Sequence, residues 1–66
     1  MQESLTTREW EVLALIATGK ANKQIATNLH IGEDTVKHHV SDILWKIGVE
    51  SRSGATAWYW GHVRQE

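Results

Sequence analysis

QIATNLHIGEDTVKHHVSDILWKI, residues Gln24 to Ile47, carries two apolar-periodic runs separated by a short break at His30, Ile31 and Gly32. In the second run Val36, Val40, Ile43, Leu44 and Ile47 recur at helical spacing. At about 100° per residue they fall within roughly 100° of arc, so one face of this helix is buried. Asp34, Lys37, His38, Ser41 and Trp45 lie on the opposite side, most of them long or polar side chains able to donate hydrogen bonds. That face is built to touch something. A short helix braced behind a longer one with a polar outer face is the arrangement that lets a helix enter a DNA major groove.

A chain of 66 residues has room for one core. At this size only about 60% of the unfolded surface is buried, so stability has to come from tight helix packing. There is no cysteine and no proline, and the four histidines lack zinc-finger spacing. Neither disulfides nor a structural metal are expected to staple the fold. No apolar run is long enough to span a bilayer, and the MQESL start has neither a basic region nor an apolar core for secretion. The expectation is a cytoplasmic protein with no membrane partner. Seven Lys and Arg against eight Asp and Glu give a formal net charge of −1, so any DNA binding rests on local placement of charge rather than on bulk attraction.

Before the central stretch, Thr6-Thr7-Arg8-Glu9 reads as a capping box that opens a helix, with Leu5 and Trp10 at the staple positions. Trp10, Val12, Leu13, Ala14, Ile16 and Ala17 cover roughly 200° of it, too wide for one neighbour. Gly19 supplies a left-handed stop. Asn22 is a plausible N-cap for the second helix, which runs to about Leu29 with Ile25, Ala26 and Leu29 as its inner stripe. Lys23 and the free amides of that first turn could hold a phosphate, a reading favoured over that of a solvated lysine on a capped helix.

Gly32 is an adequate N-cap for the third helix, and Glu33 and Asp34 favour its dipole while opposing phosphate. Gly48 ends that helix. The segment Ser51-Arg52-Ser53 caps a fourth, expected to reach about Trp60 with Gly61 fraying its end. Ala55, Trp58, Tyr59 and His62 point inward, while Thr56, Trp60 and Val63 form a second stripe about 100° away. That stripe either covers a core edge or forms a dimer seam, and a contiguous aromatic patch on so small a chain favours the seam.

Taken together, Leu5-Thr6-x-Arg8-Glu9-x-Glu11-Val12-Leu13, Gly19, Asn22-Lys23-x-Ile25-Ala26, Leu29-x-Ile31, Thr35-Val36-Lys37-x-His39 and Lys46-x-Gly48-Val49-x-x-Arg52 resemble the LuxR-type (LuxR/FixJ, GerE-like) helix-turn-helix domain. The likeness extends from about Leu5 to Gly61. It implies a four-helix module whose third helix reads the major groove and whose fourth pairs two copies across a two-fold axis. Matched position by position, it implies that Thr35, Lys37, His38 and Ser41 meet DNA, that Asn22 and Lys23 touch its backbone, and that Val36, Val40 and Ile43 are core. Gly32 departs from the usual serine or threonine, Asp42 and Trp45 stand where neutral or basic residues are frequent, and Trp58-Tyr59-Trp60 is unusually aromatic. These departures bear on affinity more than on fold and point to useful binding only as a dimer.

Catalysis and metal binding are weaker readings. His38 and His39 are neighbours pointing about 100° apart with no suitably spaced third ligand. Ser41, His38 and Asp42 could be drawn as a triad, but a solvent-facing helix offers neither an oxyanion hole nor a pocket. The expectation is therefore no enzyme, no catalytic residue, no metal and no cofactor. The reading is an all-α, four-helix LuxR-type helix-turn-helix domain over residues 1–66, core about 5–61. It would bind double-stranded operator DNA as a homodimer, as the output half of a larger bacterial transcriptional regulator whose upstream regulatory domain lies outside this chain. The rival readings are a sigma-factor region 4-like module and a protein-interaction or dimerisation module of the same fold with weak or lost DNA binding.

Overall fold

The computed structural model describes residues 4–64. Four helices follow one another, α1 (Thr7–Ala17), α2 (Asn22–Leu29), α3 (Glu33–Ile47) and α4 (Arg52–Val63). No strand occurs among the described residues. The N-terminus of α1 is a complete capping box: the Glu9 amide donates to Thr6 Oγ1 at 3.1 Å and the Thr6 amide donates to Glu9 Oε1 at 2.9 Å. Leu5 and Trp10 both pack against the core, as the staple positions require. At the other end Gly19 takes φ 90°, and the Lys20 amide turns back to the Leu15 carbonyl at 3.1 Å.

The wide apolar surface of α1 is used on several sides, because α1 packs against α2, α3 and α4. Val12, Leu13, Ile25, Val36, Ile43 and Ala55 are fully buried in one cluster drawn from all four helices. Each of the larger aliphatic side chains contributes roughly 1.5–3 kcal/mol by leaving water. Val40, Leu44 and Leu29 complete the predicted stripes from half-buried positions. Gly48 ends α3 at φ 75°, and Ser51 caps α4 by accepting from the Gly54 amide at 3.0 Å.

Three expectations are corrected. Asn22 is not the N-cap of α2 but its first helical residue; Ala21 holds the cap position, where its amide donates to the Gln24 side chain at 2.8 Å. Alanine has no acceptor to return, so only half of a capping box forms. The Asn22 side chain is instead drawn to α4, where Arg52 Nη1 donates to Asn22 Oδ1 at 2.8 Å and Arg52 Nη2 to the Lys20 carbonyl at 2.7 Å. Secondly, α4 does not fray at Gly61 but continues to Val63. Finally, His62 is exposed rather than buried, although its ring stacks on Trp58 (centroids 4.7 Å apart, 10° between planes) and lies 5.4 Å from Trp10.

Candidate nucleic-acid interface

The junction between α2 and α3 is three residues long and closed from within. His30 adopts a left-handed conformation (φ 59°, ψ 44°), and the Ile31 amide returns to the Ala26 carbonyl at 3.0 Å. Gly32 then starts α3 in extended geometry with no side-chain cap. A left-handed histidine is an uncommon way to end a helix, since glycine or asparagine ordinarily occupies that position. The short turn holds α2 packed against α3.

Behind α3 the wall is apolar: Val36 and Ile43 are fully buried and Ile47 nearly so. On the outside, Thr35, Lys37, His38 and Ser41 are exposed, together with Glu33, Asp34, Asp42 and Trp45. Four of the six predicted DNA contacts therefore share the solvent side of one helix. Lys23 is also exposed, on the first turn of α2, beside an open groove bordered by Lys20, Gln24, Thr27 and Asn28. Asn22 is half-buried and its side-chain oxygen is already occupied by Arg52, so the residue serves first as a joint between α2 and α4. The exposed charge of α3 is mixed, with the Lys37 ammonium facing solvent alongside the carboxylates of Glu33, Asp34 and Asp42.

On the fourth helix Trp60 and Val63 are 41% and 42% exposed, while Thr56 is half-buried and donates its hydroxyl to the Arg52 carbonyl at 3.2 Å. Trp60 is also fastened to its own chain, its indole N–H donating to the Ala17 carbonyl at 3.2 Å. One edge of the ring thus closes the end of α1, as the core-edge reading expects, and the rest faces outward.

Sequence reasoning missed the ion pair that supports α3. Lys46 Nζ lies 2.9 and 3.2 Å from the two oxygens of Glu9, whose side chain is only 6% exposed. Burial alone would raise the Glu9 pKa, but the Thr6 amide, the Lys46 ammonium and the Thr6 hydroxyl prevail and hold it below the ordinary value of 4.5. The capping box accounts locally for Glu9, and nothing near it in sequence signals a cation 37 positions away. Among the described residues no group of three or more His, Cys, Asp or Glu side chains is placed to hold a metal ion, and His38, Ser41 and Asp42 all face solvent. No helix among them is long and apolar enough to cross a membrane.

Residues 3–59 match the family described as bacterial regulatory proteins, luxR family (GerE). This chain belongs to the LuxR family. The nitrate/nitrite response regulator protein homolog of Haemophilus influenzae is 52% identical to it over 62 residues, covering 94% of this chain and 30% of that protein. The response regulator protein VraR of Staphylococcus aureus and of Staphylococcus saprophyticus is 47% identical over the same length, with the same coverage. The chain spans 30% of the length of these relatives. The LuxR-type domain is a DNA-binding helix-turn-helix of transcription regulators rather than an enzyme family, and its four helices are those described above.

Proposed function

We propose that this LuxR-family domain binds DNA sequence-specifically by laying α3 in the major groove. The observation carrying this reading is the two-sidedness of α3: its inner face is sealed by Val36 and Ile43, and its outer face presents Thr35, Lys37, His38 and Ser41 to solvent. Lys37 contacts a phosphate or a guanine edge, His38 and Ser41 read base edges, and Thr35 meets a phosphate. Lys23 and the first-turn amides of α2 hold the backbone on one side, with Asn22 placed there by Arg52. Two copies pair through Thr56, Trp60 and Val63 of α4, which offsets the weak grip of a single acidic copy through effective concentration. The chain is the single-domain output segment of a longer cytoplasmic regulator, a reading supported by the response-regulator relatives and by the 30% of their length that it spans.

A second reading draws on the carboxylates exposed on α3 and the partly exposed Trp60: a pairing module of the same fold that has lost DNA contact. An NMR shift titration of the labelled chain with random-sequence duplex, at low and at high salt, separates the two. Salt-sensitive shifts at Asn22, Lys23, Thr35, Lys37, His38 and Ser41 are the expected result. Concentration-dependent shifts confined to Thr56, Trp60 and Val63, with none on α3, would replace it by the pairing module. Within the first reading, each lost base contact costs roughly 1–3 kcal/mol, and each lost phosphate contact lowers the salt slope by about 1.

A further inference from the structure

Asp34 is the second residue of α3 and is exposed. Around the helix it lies about 20° from Ser41 and about 40° from His38, and roughly 180° from the fully buried Ile43. Asp34, His38 and Ser41 therefore form a row along the middle of the outer face, with successive rises of about 6 and about 4.5 Å. A recognition helix meets base edges with its N-terminal part, so a placement that sets His38 and Ser41 over base pairs sets Asp34 over them too. Among the described residues no hydrogen bond or ion pair engages the Asp34 carboxylate. Glu33 points about 140° away from His38, outside the row, and Asp42 lies about 12 Å beyond Asp34 toward the C-terminal end of the helix.

A carboxylate brought among phosphates is unfavourable unless it meets a hydrogen-bond donor, because its oxygens accept and do not donate. In the major groove guanine offers only acceptors, and thymine an acceptor and a methyl group. Adenine sets its amino donor beside an acceptor, whereas cytosine shows its amino group alone. Cytosine is thus the base whose groove edge a carboxylate meets without repulsion. Building on the DNA-binding reading above, we propose that Asp34 is a specificity-determining residue that accepts a hydrogen bond from the N4 amino group of a cytosine in each half-site. Its charge repels the phosphates of every duplex alike, and the compensation comes only over cytosine, so the residue weakens non-specific binding more than specific binding. An acidic residue on this face is then a means of discrimination rather than a sign of lost DNA contact. Asp34 also sits at the positive end of the α3 dipole, where Gly32 supplies no side-chain cap. Glu33 shares that setting without sharing the row, and so separates the two roles.

The test is selection of bound duplexes from a pool with a randomised window, followed by affinities from fluorescence anisotropy, using the 66-residue chain, D34N and E33Q. The parent should prefer cytosine at one position of the selected half-site by about tenfold. Asparagine pairs with the N6 and N7 groups of adenine, so D34N should move that one preference to adenine and leave its neighbours unchanged. D34N should also bind random-sequence duplex more tightly than the parent, because one charge repelled by the phosphates is gone. E33Q should keep the sequence that the parent selects. A D34N selection that keeps the parent's cytosine, absence of a cytosine preference in the parent, or the same change in E33Q overturns the proposal and leaves the DNA reading standing. A parent that binds no duplex with a negative salt slope removes both. Thermal midpoints establish that the variants fold. If D34N does not, each cytosine of the parent's site is replaced in turn by 2-pyrimidinone, which lacks the amino group. A loss of about tenfold at one cytosine is then expected, and indifference at all of them overturns the proposal.

Discussion

Replacing Lys46 by methionine removes the ion pair that ties the start of α1 to the end of α3. Methionine keeps most of the aliphatic stem and removes the ammonium that sits 2.9 and 3.2 Å from the Glu9 oxygens. Glu9 would then keep only its Thr6 contacts inside a site where its side chain is 6% exposed. Breaking a buried pair from one side costs about 3–5 kcal/mol, because a charge is left without its partner. Here the lysine side is 19% exposed, so water can reach part of the vacated space, and a loss of about 2–3 kcal/mol is expected. For a domain of this size that lowers the thermal midpoint by roughly 10–20 °C. Urea and thermal unfolding followed by helical circular dichroism measure both quantities. The pH dependence supplies an independent check. Glu9 has a folded-state pKa below 4.5, so its contribution is present above that value and is lost as pH falls through the folded-state value. Without the ammonium the Glu9 pKa of the variant is lowered less, so the stability gap between parent and variant should narrow as pH falls below 4.5 toward the folded-state value of the parent. A loss under about 0.5 kcal/mol at neutral pH, or a gap that stays constant into acid, would refute this account of the pair.

Helix α4 should gain from Gly61→Ala, since an added Cβ meets nothing within 4 Å and alanine is the better helix former; an increase of roughly 0.5–1 kcal/mol is expected by urea unfolding. The left-handed His30 makes an opposite pair of cases, with His30→Val losing about 1–2 kcal/mol and His30→Gly staying level or gaining under about 1 kcal/mol in the same assay. Arg52→Lys leaves one ammonium where a two-pronged group served Asn22 and Lys20, so stability should fall by about 1–2 kcal/mol. The amide resonances of Asn22 and Lys23 should move with no duplex present, and unchanged resonances there would mean that the clamp does not position the start of α2.

Much of this fold is local in origin and was therefore legible. The Thr6–Glu9 box, the glycines at 19 and 48, the Ser51 cap and the aliphatic stripe of α3 each depend on residues within one or two turns of one another. What escaped the sequence reading was decided across the chain. Asn22 has a good capping side chain by composition, yet Arg52, 30 positions on, takes its oxygen, while Gln24 serves the amide of Ala21. The end of α2 at Leu29 was legible, but the left-handed conformation of His30 was not, since glycine or asparagine ordinarily takes that position. Trp60 read as either core edge or seam, because the Ala17 carbonyl that receives its N–H becomes a neighbour only once α1 and α4 pack. The outer face of α3 was recognised correctly as exposed, since a solvent-facing stripe follows from the same period that defines the buried one.

The clamp at Arg52 also bears on how the proposed activities depend on one another. Its guanidinium leaves the first turn of α4 and holds Lys20 and Asn22, the residues that lead into the α2 turn bearing Lys23. About two turns further along the same helix, Trp60 faces outward while its N–H grips the end of α1 at Ala17. The two attachments stand on either side of the Gly19 turn, so α4 brackets the connection between α1 and α2. A displacement of α4 on pairing with a second copy would therefore be passed to the start of α2 through hydrogen bonds of 2.7 and 2.8 Å rather than through a flexible loop. In the proposed reading, pairing through Trp60 and Val63 of α4 and the placing of Lys23 of α2 on phosphate are linked through the Arg52 hydrogen bonds. Assembly then does more than raise local concentration: it fixes the α2 end of each copy against the duplex that the other copy also holds.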